Sequence, residues 1–117
     1  MKIRVYIASP YTIGDISENV RNQMSMGATL MSKGFYPFIP LLMHYQDIVF
    51  PNTYEYWMEY DLVWLDACDC VLRMAGRSEG ADIEVNRAEK LGKPVFCSLS
   101  QLLSYYDAKI QTPENQS

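Results

Sequence analysis

The spacing of hydrophobic and polar positions changes period several times along this 117-residue chain. "KIRVYIA" over 2–8 alternates and then runs apolar, as a strand buried inside a parallel sheet does. "SPYTIGD" follows as a loop by its Pro, Gly and Asp. Ile16, Val20, Met24, Ala28 and Met31 then recur at helical spacing, with Asp15 and Glu18 resembling a capping box and Gly34 closing the helix. "FYPFI" over 35–39 reads as a short second strand, and Pro37, which cannot donate to a ladder, assigns it to an edge. Residues 40–52, "PLLMHYQDIVFPN", read as a long loop of apolar and aromatic character, suited to a lid, a binding wall or a contact with a neighbouring subunit. A second helix begins near the caps Asn52 and Glu55 and runs to about Ala67, with Tyr54, Met58, Leu62 and Leu65 as its buried stripe. "DCVLRMA" over 69–75 is a third strand, and 80–91 a third helix closed by Gly92. "KPVFCSL" over 93–99 is a fourth strand, followed by the short helix "SQLLSYY". Residues 107–117 are polar and read as a tail beyond a single domain over 1–106.

Strands alternating with helices predict an α/β domain. The expected form is a three-layer, Rossmann- or flavodoxin-like arrangement with four to five parallel strands and helices on both faces. In such sheets the ligand crevice lies beyond the carboxyl ends of the strands. Three segments should meet there: "SPYT", which brings Ser9, Pro10 and Tyr11; the 40–52 segment, which brings His44; and "GRSEG" over 76–80.

Two carboxylates break the apolar pattern. Glu84 shares a helical face with Ala81 and Ala88, and Asp61 lies in the stripe that begins at Tyr54. A buried carboxylate is costly without a partner, so each needs a cap, a cation such as Arg73 or Arg77, or a chemical role. Two on adjacent helices near one crevice point to a functional pair. Glu84 falls within about the first turn of its helix, where the dipole favours negative charge by about 0.3–1 kcal/mol at an exposed site. An ionised Glu84 suits a nucleophile or a general base.

The N–H groups of Gly80, Ala81 and Asp82, with the Ser78 hydroxyl, form a candidate phosphate cradle, and Arg77 supplies charge beside it. Ser and Gly also open many helices as simple caps. Tyr11 and Tyr45 fall in predicted loops, where they can stack on a planar ring.

Composition narrows the partners. With 49% hydrophobic and 21% charged residues, a chain of this length buries roughly two-thirds of its unfolded surface, which excludes general disorder. A net charge of −4 argues against a nucleic acid polymer as partner but leaves small anions open. No apolar run approaches a membrane span, and the first residues enter a strand without a signal-peptide pattern, so a cytoplasmic protein is expected. Cys68, Cys70 and Cys97 lack zinc spacing and read as small core residues, and the single histidine, His44, makes no metal site. No cofactor is implied.

"VYIASPYT", "WMEYDLVWLDACD" and "GRSEGADIE" followed by "AEKLGKPV" together resemble the nucleoside 2-deoxyribosyltransferase superfamily, including its 2′-deoxynucleoside 5′-phosphate N-hydrolases, over residues 3 to about 98. That resemblance implies a nucleophilic role for Glu84, which would attack the anomeric carbon of a 2′-deoxyribonucleoside and expel the base. It also implies that Asp61 positions the glutamate or the substrate and that Tyr6 contacts the glutamate. The transferases usually carry an aspartate where this chain has Ser78, whereas the nucleotide hydrolases carry a serine there for the 5′-phosphate. The resemblance thus points to a nucleoside or nucleotide as small-molecule partner, to hydrolysis or base transfer, and to a homodimer or larger homo-oligomer. In such an assembly a neighbour's Ser98 or Ser100 could complete the site. A nucleotide-binding module without catalysis is the alternative from a different class, and a purely structural scaffold leaves the paired acids unexplained.

Overall fold

Four parallel strands form the middle layer of the protein in a computed structural model that describes residues 1–110: β1 (Arg4–Ala8), β2 (Tyr36–Phe38), β3 (Cys70–Arg73) and β4 (Val95–Phe96). They lie in the order β2-β1-β3-β4. The helices are α1 (Ile16–Ser32), α2 (Met43–Val49), α3 (Tyr54–Asp66), α4 (Glu79–Lys90) and α5 (Leu99–Ile110). Alternate residues of β1 serve opposite faces, because strand side chains have a period of two. Val5 and Ile7 join Leu30 of α1 and Leu102 and Tyr106 of α5 in one core cluster. Tyr6 and Ala8 join Leu65 of α3 and Ala81 and Ala88 of α4 in the other. This is the expected α/β three-layer architecture with four strands, and β2 occupies the edge that Pro37 requires. Among the described residues no helix is long and apolar enough to cross a membrane.

The chain leaves β1 for β2 on one side and later returns to β3 on the other. The carboxyl ends of β1 and β3 therefore diverge at a topological switch point, where a crevice opens.

Several expectations are corrected. Residues 40–52 are mostly helical: a 3-10 turn over Pro40–Leu42 leads directly into α2. Seven residues are too few for periodicity to reveal a helix, and no Ser, Thr, Asp or Asn caps it. On α1 the buried positions are Val20, Gln23, Gly27 and Leu30, while Met24 and Met31 are 40% and 57% exposed. A glutamine and a glycine disguise this face. Gln23 spends its amide on Ser9 Oγ (2.7 Å) and the Ile7 carbonyl (3.2 Å), and accepts from the Leu41 N–H (2.8 Å). At Gly27 a β-carbon would come within 2.4 Å of Ile39 Cδ1, so a side chain there would have to displace Ile39 from its place against α1.

Asp15 caps α1 as expected, accepting from the Glu18 N–H (3.0 Å). The cap of α3 is Thr53, which accepts from the Tyr56 N–H, in place of Asn52 or Glu55. Along α3 only Leu65 is fully buried, and Tyr54 faces outward. The fourth strand shortens to two residues, which leaves Cys97 exposed beyond it, while Cys68 and Cys70 are buried. Helix α5 extends the short helix expected there, so 107–110 form its last turn; the rest of the expected tail lies outside the described residues.

Candidate active site

A cleft of about 500 Å³ opens at the switch point. That volume lies within the range of small-molecule sites. Its floor holds the two carboxylates. Ala81 and Ala88 draw one face of α4 against the sheet, and Glu84, three and four residues from them, is carried to the same depth and is 6% exposed. Tyr6, fully buried on β1, donates its hydroxyl to Glu84 Oε2. Asp61 reaches the cleft from α3, and its buried Oδ1 has no hydrogen-bond partner among the described residues.

Among the described residues no cation forms an ion pair with either acid. Arg73 bonds Asp82 (3.1 Å) and the carbonyls of Met74 and Gly76, which ties the loop after β3 to α4 and leaves only a weak field at Glu84. Arg77 lies at the exposed rim.

Burial pushes the Glu84 carboxyl up to about 8, with the Tyr6 hydrogen bond pulling down and Asp61 pushing further up. Burial alone raises Asp61 to about 7. This overturns the expectation that the helix dipole keeps Glu84 charged. Glu84 is the sixth residue of α4, one and a half turns below the exposed N-terminus, and desolvation dominates there. Two interacting acids of this kind titrate as a pair.

Of the site residues predicted from the sequence, Ser9, Tyr11, His44, Ser78, Gly80 and Ala81 line the cleft with Asp61 and Glu84. Tyr6 stands behind Glu84 in the core. Pro10 is not in the wall. It packs on Gly76, where φ is +119° and a β-carbon would come within 2.6 Å of Pro10 Cγ, so the loops after β1 and β3 are locked together. Tyr45 is exposed and outside the cleft.

The expected phosphate cradle is partly spent on capping. Ser78 is the N-cap of α4: its Oγ accepts from the Ala81 N–H (3.1 Å), and its carbonyl accepts from Asp82 (3.1 Å). The Ser78 hydroxyl hydrogen and the Gly80 N–H remain for a ligand beside Arg77.

Periodicity did not reveal the opposite wall. The Tyr11 hydroxyl and His44 Nδ1 are 2.6 Å apart, and Trp57 Nε1 donates to Asp47 Oδ1 (2.6 Å), which also takes the Asn52 N–H (2.9 Å). Asp47, Asn52, Trp57 and Met58 all line the cleft. The one available signal was that His44 and Asp47 stand three residues apart, which places them on one face once 43–49 is helical.

A family model described as a domain of unknown function (DUF7768) matches residues 3–98. No curated protein matches the chain significantly. Among solved structures, a 2-deoxyribosyltransferase from the psychrotolerant bacterium Bacillus psychrosaccharolyticus is similar in fold, with a TM-score of 0.58 and 20% sequence identity. The match covers 79% of this chain and 69% of that one.

Proposed function

The chain belongs to the DUF7768 family, and from the cleft it carries we propose that it cleaves the N-glycosidic bond of 2′-deoxynucleosides or their 5′-monophosphates, with Glu84 as nucleophile. The observation that carries this reading is the floor of the cleft: a buried glutamate anchored through one oxygen by Tyr6, beside a second carboxyl with an unpartnered oxygen. The fold it shares with a 2-deoxyribosyltransferase supports the same reading.

In this mechanism Glu84 Oε1 attacks C1′ while Tyr6 holds Oε2. The C–N bond breaks, and its electron pair leaves on the base, which takes the proton of Asp61. Water or a second base then opens the glycosyl ester. The working state is the pair with one proton. The form that attacks carries that proton on Asp61, which the Tyr6 hydrogen bond to Glu84 favours and the burial of Glu84 opposes. The Ser78 hydroxyl, the Gly80 N–H and Arg77 suit a 5′-phosphate at the rim, which favours a monophosphate substrate.

A nucleotide-binding module without catalysis is the second reading. It is favoured by the burial that tends to hold Glu84 neutral in the empty cleft.

Chromatographic detection of free base separates the two. Wild type and Glu84→Gln are incubated with each deoxynucleoside and each 5′-monophosphate, with and without an added base. The expected result is base release by wild type, reduced about 10³-fold or more in a folded Glu84→Gln. Its pH profile should be bell-shaped, with a maximum between about 7 and 8 where the pair holds one proton. Undiminished release by Glu84→Gln overturns the nucleophile, and nucleotide binding without release establishes the binding module.

A further inference from the structure

We infer that Asp47 and His44 form the base-reading wall of the cleft and select nucleobases that carry an exocyclic amino group beside an unprotonated ring nitrogen, as adenine and cytosine do. The inference rests on the proposed nucleoside substrate and goes beyond it by naming the class of base. Asp47 is held in place through one oxygen: Oδ1 accepts from Trp57 Nε1 and from the Asn52 N–H, while Oδ2 has no hydrogen-bond partner among the described residues. Both hydrogen bonds favour the charged form, and the carboxyl is held below its ordinary value. The cleft therefore presents a fixed anionic acceptor in a wall that also includes Trp57 and Met58, against which a planar ring can pack.

His44 stands one turn earlier on the same face of α2. Its Nδ1 is engaged by Tyr11 (2.6 Å). With the Tyr11 hydroxyl as donor, Nε2 carries the ring hydrogen and becomes a donor to the ligand. An acceptor beside a donor complements an amino group beside a bare ring nitrogen. Hypoxanthine and uracil reverse that pattern, with a carbonyl beside an N–H, so a carbonyl oxygen would face the Asp47 carboxylate. Leaving such groups mispaired in a cleft is a strong basis for rejection.

Asp47→Asn tests the wall directly. The side-chain oxygen must stay with Trp57 and the Asn52 N–H, so the new amide NH₂ replaces Oδ2 as a donor. Base release is measured from deoxyadenosine against deoxyinosine and from deoxycytidine against deoxyuridine, and from their 5′-monophosphates. Binding of free adenine and free hypoxanthine is measured by calorimetry on both proteins.

The expected result is an amino-base preference in wild type that falls by about 10- to 100-fold in Asp47→Asn and moves toward the oxo bases. Equal handling of the paired substrates by wild type overturns the inference while leaving the glycosidic reading intact. An unchanged preference in folded Asp47→Asn does the same. If the variant does not fold, the wild-type ratios alone decide. Preferential adenine binding without base release from any substrate supports the reading wall and sinks the glycosidic reading. Absence of both release and binding overturns both.

Discussion

Tyr6 and Asp61 act on Glu84 in opposite senses. The Tyr6 hydroxyl stabilises the glutamate anion, while Asp61 opposes its ionisation. Burial outweighs both and sets a pH dependence of stability. The ordinary value for this carboxyl is 4.5, and the folded protein raises it to about 8. Between those values the native state binds the proton that the unfolded chain has released, so stability falls as pH rises and levels off above about 8. Asp61 adds a fall of the same sign between 3.8 and about 7. Glu84→Gln removes the larger share. Thermal unfolding followed from pH 5 to pH 9 should show the variant gaining on wild type by on the order of a few kcal/mol at the alkaline end. A pH-independent gap between the two proteins would mean that Glu84 titrates as an exposed carboxyl.

At the scale of elements, the cleft depends on segments being tied to one another. Pro10 packs on Gly76 to join the loops after β1 and β3, and Gln23 joins α1 to the end of β1 and to the turn that leads into α2. Gln23 is 1% exposed, so removing its amide leaves the Leu41 N–H and the Ile7 carbonyl without that partner inside the protein. Gln23→Leu keeps the volume and removes the hydrogen bonds. It should cost about 1–3 kcal/mol in denaturant unfolding. It should also raise KM more than it lowers kcat, since α2 carries His44 and Asp47 while the attacking carboxylate stands on α4. A larger loss in kcat than in KM would indicate that α1 supports the carboxylate pair instead.

At the scale of the whole molecule, one stretch of exposed apolar side chains lies at the junction of α2 and α3. Ile48, Val49 and Phe50 at the end of α2, with Tyr54 at the start of α3, are each at least 62% exposed. Exposed apolar side chains brought together in this way can mark an association surface. Self-association is therefore expected in analytical ultracentrifugation, with Phe50→Glu shifting the equilibrium toward monomer. A wild-type protein that sediments as a monomer at all concentrations would contradict it. The run begins one residue beyond Asp47, so loss of association should also loosen the wall that α2 contributes.

Much of this architecture follows from local rules. The apolar run of β1, the Asp15 cap and the edge strand marked by Pro37 depend on neighbours along the chain, and they read directly from the residues. The two anomalous carboxylates were legible for the same reason, because a charged residue on an apolar helical face is a contradiction visible in one dimension. What only the tertiary structure decided depends on contacts between distant segments. Gln23 and Gly27 form a buried face because Ile39 and the Leu41 backbone meet α1 there. Residues 43–49 become a helix too short for its pattern to declare itself. The proton held by Glu84 and Asp61 is decided by desolvation, and burial is a property of the assembled fold rather than of the residue or its neighbours in sequence.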